Sequence, residues 1–189
     1  QQINGKNLYG LAPGSVVKVP NISPFELENW AKHVQFKTEG PQASHSVVVD
    51  IRARVAIFFD DQNRPIASFP ITPGRPKFIQ FGEWKVTNMV STPTFRWDKS
   101  MLEEGKRSDS FYELPLGPNN PVGVAWIGLD RPGYGIHGTP KPEQVGRTES
   151  HGCFRLANWD AQTLLRLVWV GLPVVVSLTV PDGSTRIDR

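Results

Sequence analysis

Short β-branched and aromatic runs, each ended by turn chemistry, constrain this chain more than any other feature. Ser46-Val47-Val48-Val49-Asp50 and Ala53-Arg54-Val55-Ala56-Ile57-Phe58-Phe59 are two such runs, and Asp60-Asp61-Gln62-Asn63-Arg64 is a turn after the second. Ile66 to Ile71 follows as a strand and Thr72-Pro73-Gly74-Arg75-Pro76 stops it. Trp84-Lys85-Val86, Thr94 to Trp97, Val122 to Leu129 and Val174 to Val180 read as further strands. Glycine and proline together make 34 of 189 residues, about 18% against a usual ~12%. An all-helical bundle is excluded. One helix is expected, from an Asn158 N-cap through Ala161, Leu164, Leu165 and Val168 at i, i+3, i+4, i+7 spacing, with Gly171 and Pro173 beyond it. The expected fold is mainly β, with one helix placed after the sole cysteine, Cys153.

The pattern divides the chain into an N-terminal extension over 1–44, a β-rich domain over 45–183 and a tail over 184–189. Within the extension, Ser15 to Pro20 reads as a short strand, Ser23 and Pro24 open a short helix, and Gly40 to Ser44 is a linker. A hydrophobic content of 39% and a charged content of 21% suit a folded protein. The net charge of +3, with no dense Lys/Arg run, argues against nucleic-acid binding. No segment reaches the ~20 apolar residues of a membrane helix. One cysteine excludes an internal disulfide.

The chemistry is concentrated in Tyr134-Gly135-Ile136-His137-Gly138-Thr139 and Ser150-His151-Gly152-Cys153-Phe154-Arg155-Leu156. A cysteine nucleophile needs a base, because a free thiol with a pKa near ~8.5 is mostly protonated at neutral pH. His137, across a loop, and His151, two residues away, are the candidates. Backbone N–H groups at Gly152 and Cys153 could form a nest for an oxyanion. Arg155 is two residues beyond the sulfur, and its fork suits a substrate carboxylate. Two other readings remain open on these residues alone. Cys153 could be an inert buried side chain, or His137, His151 and Cys153 could bind zinc, although no HExxH motif is present.

Leu116 to Ala161 resembles the L,D-transpeptidase catalytic domain, or YkuD family. The resemblance rests on Gly117-Pro118-Asn119-Asn120-Pro121, Ile136-His137-Gly138-Thr139, Ser150-His151-Gly152-Cys153-Phe154-Arg155-Leu156 and Asn158-Trp159-Asp160-Ala161. It extends over roughly 45 to 181. It implies a β-sandwich-type catalytic fold acting outside the cytoplasm, in the periplasm or cell wall, on peptidoglycan stem peptides. The family cysteine attacks the carbonyl of the third stem residue and releases D-alanine. An amine of a second stem then resolves the thioester as a 3-3 cross-link.

By that resemblance Cys153 is the nucleophile and His137 the base, with the Ser150 carbonyl holding the His137 ring. His151 and Gly152 shape the oxyanion pocket, and Arg155, Tyr134 and Thr139 are substrate-binding positions. No cofactor and no metal are implied, and carbapenem β-lactams are expected as acylating inhibitors. An L,D-carboxypeptidase with water as acceptor, a non-catalytic wall-binding protein and a zinc peptidase are the competing readings. The sequence departs from the family at Thr92-Pro93-Thr94-Phe95, where a glycine is missing, and at Arg155, where some relatives carry asparagine. Ile3 to Pro20 resembles the end of a LysM peptidoglycan-binding module.

Overall fold

The computed structural model describes residues 12–16, 45–104, 106–150 and 152–179. Its strands are β1 (Ser46–Asp50), β2 (Val55–Phe59), β3 (Pro65–Pro70), β4 (Gly82–Ser91), β5 (Phe95–Trp97), β6 (Tyr112–Leu114), β7 (Ala125–Leu129), β8 (Gly135–His137), β9 (Phe154–Arg155) and β10 (Pro173–Ser177). Among the described residues two helices accompany them, α1 (Lys99–Glu104) and α2 (Asn158–Leu167). Eight strands form one sheet in the order β3-β2-β1-β10-β4-β7-β8-β9, and β5 and β6 form a separate hairpin.

The long strand β4 joins the two halves of the sheet. Gly82 to Lys85 pair with β10, and Val86 to Ser91 pair with β7, with a register shift between Val86 and Asn88. A bulge at such a changeover bends the strand and sharpens its twist, so the sheet curls on itself. Trp84 and Val86 point inward while Glu83, Lys85 and Thr87 face water, the period-two pattern of a half-buried strand. The main core gathers Val47, Phe58, Phe69, Trp84, Ile127, Ile136, Phe154 and Leu156 with Leu164, Leu165 and Leu172. Each such side chain contributes about 1.5–3 kcal/mol of burial.

Helix α2 packs on β7, β4 and β8. Its apolar face is Ala161, Leu164 and Leu165, as the spacing predicts, but the cap is one residue earlier than expected. Ala157 is the extended residue before the first turn and makes no side-chain cap bond. Asn158 is already helical. Its Nδ2 donates to the Pro118 carbonyl at 3.2 Å, and its Oδ1 accepts the Val124 N–H at 3.3 Å. It therefore braces the loop before β7 instead of capping α2.

Other expectations shift for local reasons. The strand expected from Val122 starts at Ala125, because Gly123 at φ +65° closes a turn onto the Asn120 carbonyl. The strand around Trp84 is ten residues long, since both neighbours extend it. Residues 92–124 carry α1 and β6 besides β5. The Thr92 N–H donates to the Val124 carbonyl at 2.8 Å and closes the base of this insertion. Among residues 12–16, Ser15 N–H donates to the Ala12 carbonyl in a turn with Gly14 at φ +86°. The rest of the expected strand over 15–20, the helix from Ser23, the linker, the LysM-like segment and the tail lie outside the described residues.

Candidate active site

Strand β8 carries His137, and β9 follows Cys153. The two strands are parallel, with Ile136 opposite Phe154 and His137 opposite Arg155. Residues opposite one another share a sheet face, so His137 and Arg155 project together. Leu156 N–H donates to the His137 carbonyl at 2.8 Å and locks this register. Ile136 and Phe154 turn the other way into the core, which fixes the register by burial.

The thiol of half-buried Cys153 lies over the loop that enters β8. Its Sγ donates to the Gly133 carbonyl at 3.3 Å, and the Gly135 N–H is directed at the sulfur. Burial pushes the thiol up to about 11, although the Gly135 N–H and the Arg155 charge both favour the thiolate. His137 is 5% exposed and its ring stacks on Trp126, with centroids 5.7 Å apart and planes 22° apart. Burial pulls its pKa down to about 4, against the pull of the Gly138 carbonyl, and the Arg155 charge lowers it further. At neutral pH both groups are uncharged.

The Nδ1 of His137 is 2.7 Å from the Gly138 carbonyl oxygen. A carbonyl only accepts, so Nδ1 carries the proton and Nε2 keeps its lone pair for use as a base. This corrects the expectation that the Ser150 carbonyl holds the ring. That carbonyl accepts the Arg75 N–H at 2.9 Å. The Ser150 hydroxyl donates to the Cys153 carbonyl and accepts the Gly152 N–H at 3.3 Å. The Gly152 N–H, expected in an oxyanion nest, is therefore engaged within the loop.

Gly152 adopts φ +129°, and a Cβ there would meet the Tyr134 ring at 3.0 Å. Gly74 lies against its other side, where an added Cβ would fall 2.6 Å from the Gly152 Cα. Residues 72–75 clasp the Cys153 segment on this flank. Thr72 exchanges both backbone bonds with Arg155, at 2.8 and 3.0 Å, and Ser150 N–H donates to the Pro73 carbonyl at 2.9 Å.

Arg155 is half-buried, and its guanidinium forms no hydrogen bond or ion pair with the described residues. Burial lowers its pKa and the nearby Cys153 opposes that shift. Tyr134 is partly buried; its hydroxyl donates to the Phe78 carbonyl at 2.8 Å, and its ring meets Trp84 edge-on at 5.3 Å. Thr139 is buried, and its hydroxyl accepts the Lys141 N–H at 3.3 Å. His151 lies outside the described residues. Among the described residues, no three His, Cys, Asp or Glu side chains group so as to hold a metal ion.

Sequence reasoning missed Gly133, whose signal was the Arg131-Pro132-Gly133 turn, and Trp126, whose ring stacks on His137. Of the other described tryptophans, Trp84 and Trp169 are buried in the core, whereas Trp97 and Trp159 are exposed.

The β-rich scaffold brings to its β8–β9 edge an imidazole, a thiol and a guanidinium without a partner among the described residues, a set suited to thiol chemistry. Residues 44–176 match the family model of the L,D-transpeptidase catalytic domain, YkuD, and the chain belongs to that family. A Bacillus subtilis protein named as an L,D-transpeptidase, YqjB, is 36% identical over 101 residues, 51% of this chain and 50% of that one. This chain thus spans about half the length of that relative. Among solved structures, an L,D-transpeptidase from Mycobacterium smegmatis superposes with a TM-score of 0.56 at 22% identity, covering 71% of this chain and 59% of that chain. The catalytic domain of an E. faecium L,D-transpeptidase acylated by ertapenem superposes with a TM-score of 0.54 at 22% identity, covering 73% of this chain and 100% of that one.

Proposed function

We propose that this protein is an L,D-transpeptidase that acylates Cys153 with a peptidoglycan tetrapeptide stem and passes the acyl group to an amine. The observation that carries this reading is the grouping at the β8–β9 edge of Cys153, His137 and Arg155, whose guanidinium has no partner among the described residues. Family membership supplies the substrate class.

The resting pair is neutral, so proton transfer from sulfur to imidazole is uphill until a carbonyl is present. Attack and deprotonation are therefore coupled. The S–H proton moves to His137 Nε2 as the sulfur bonds the carbonyl carbon of the third stem residue. Collapse of the tetrahedral intermediate breaks the C–N bond to D-alanine. The imidazolium proton goes to the departing amine, which leaves a thioester. An amine from a second stem attacks that thioester, and its proton returns through His137 to the departing thiolate. The product is a 3-3 cross-link. Arg155 holds a stem carboxylate in a charge-assisted pair. Tyr134 and Thr139 help to bind the stem, Ser150 and Gly152 set the shape of the nucleophile loop, and His151 shapes the oxyanion pocket. The same thiol would be acylated by carbapenems, as ertapenem acylates the E. faecium domain. Action on such a substrate would take place outside the cytoplasm, in the periplasm or cell wall.

The test is incubation with a disaccharide tetrapeptide, followed by intact-mass analysis of the enzyme and separation of the products. A thioester adduct on Cys153 with cross-linked dimer supports the proposal. Tripeptide without dimer assigns an L,D-carboxypeptidase. Neither adduct nor product leaves a wall-binding protein.

A further inference from the structure

We infer that Thr72 and Arg54 are positioning residues for this reaction, clamping the loop that joins the base to the nucleophile. The inference rests on the proposed reaction, but the geometry stands by itself. Among the described residues of the loop between His137 and Cys153, regular structure is limited to a 3-10 turn at Pro142–Gln144 and an isolated bridge from Ser150 to Gly74. The loop's two ends set the two reacting groups. At one end the Gly138 carbonyl fixes the His137 tautomer, and at the other the Ser150 hydroxyl holds the Cys153 carbonyl. A loop with so little regular structure must be held from outside if its ends are to keep a fixed separation.

Thr72 supplies that hold. It is 1% exposed, and its hydroxyl donates to the Gln144 carbonyl at 3.3 Å while accepting the Gly146 N–H at 3.0 Å. The same residue pairs through its backbone with Arg155. One side chain at the end of β3 thus binds the middle of the loop while its backbone binds the strand after the nucleophile. Arg54 reaches the same place from the β1–β2 turn, where its Nη1 donates to the Gly146 carbonyl at 2.7 Å. It does so from φ +55°, a conformation a bulky side chain seldom adopts. Its own carbonyl accepts the Ile71 N–H at 2.9 Å, beside Thr72. Gly146 is therefore held through both its N–H and its carbonyl by neighbouring residues from the opposite half of the sheet.

The variants are Thr72→Val, which keeps the shape and deletes the hydroxyl, Thr72→Ser, which keeps the hydroxyl, and Arg54→Met. Turnover of a disaccharide tetrapeptide is measured alongside the iodoacetamide alkylation rate of Cys153 at pH 9 and thermal unfolding. Misplaced reacting groups cost up to ~10²-fold in rate, so Thr72→Val should lower kcat about tenfold with KM within about twofold. Thr72→Ser should restore most of the rate. Should Thr72→Val fail to fold, Arg54→Met, which removes a single bond, should lower kcat about threefold. A folded Thr72→Val with wild-type kcat overturns the clamp, as does a loss that Thr72→Ser does not relieve. If the wild-type protein is inert on the stem peptide, the proposed reaction fails and the alkylation rate alone decides. A change of about threefold or more in Thr72→Val, absent in Thr72→Ser, then upholds the clamp, and an unchanged rate overturns it.

Discussion

The Cys153 thiol donates its hydrogen bond to the Gly133 carbonyl, 3.3 Å away, and not to His137. The proposed nucleophile is thus stored as a protonated thiol on a backbone acceptor. Gly133 sits where an added Cβ would meet Met101 of α1 at 3.2 Å, so the insertion between β4 and β7 packs against the loop that stores the thiol. The storage has a direct consequence for reactivity, because only the thiolate attacks.

Alkylation of Cys153 by iodoacetamide should be slow at pH 7 and rise about tenfold per pH unit towards pH 11, the value to which burial pushes the thiol. His137→Ala should leave that profile nearly unmoved, since His137 accepts no proton in the resting state. It should nevertheless reduce turnover by ~10²–10⁴-fold, the usual contribution of a positioned base. A wild-type profile with a plateau below pH 7 would reveal a preformed thiolate and contradict the neutral pair.

The same neutrality shapes acid stability. The buried His137 imidazole titrates at about 4 in the folded chain, against an ordinary value of 6.5. The unfolded state therefore takes up a proton first as pH falls. Stability from this group is complete above pH 6.5 and is lost progressively between 6.5 and 4, to an extent of about 3 kcal/mol. Denaturant unfolding at pH 7.5 and 4.5 should show the loss, and His137→Gln should remove most of the difference between the two. An equal acid loss in the glutamine variant would assign the effect to other groups.

Gly74→Ala tests the contact that aligns the nucleophile loop. Its Cβ would lie 2.6 Å from the Gly152 Cα and 2.9 Å from the Gly152 N, backbone atoms with no rotamer to yield. The loop must move or the chain must strain, at about 1–3 kcal/mol. Turnover should fall more than tenfold, because even ~1 Å of displacement can cost ~10²-fold. A crystal structure of the variant with Gly152 unmoved, together with full activity, would show that the contact is not needed.

How much of this was legible follows from the range of the forces involved. Helix α2 was readable because Ala161, Leu164 and Leu165 carry its apolar face locally. Strands β1 and β2 were readable from their own β-branched runs. Strand β9, two residues long, was not, because it exists only through pairing with Ile136–His137 and with Thr72. Cys153 and His137 stood out through residue type and glycine context. What holds them, the Gly138 carbonyl on one side and Gly133 on the other, is backbone and leaves no mark in side-chain chemistry. The Thr72–Gly146 bond spans 74 positions, and nothing in either local sequence announces it.

Arg155 yields the last prediction. Its guanidinium has no partner among the described residues, and its charge depresses His137 while favouring the Cys153 thiolate. A stem carboxylate paired with Arg155 would neutralise that charge and raise the basicity of His137 as the substrate binds. Arg155→Gln removes the charge permanently. It should weaken use of a stem with a free carboxylate by ~10–10²-fold, the worth of a charge-assisted bond, and should spare the amidated analogue. In the free enzyme the same change should move the His137 titration upward from about 4, as read from its ring-proton shifts by NMR. Equal losses on both substrates with an unmoved His137 titration would reduce Arg155 to a structural residue. A selective loss with an upward titration would tie substrate recognition to base strength through one side chain.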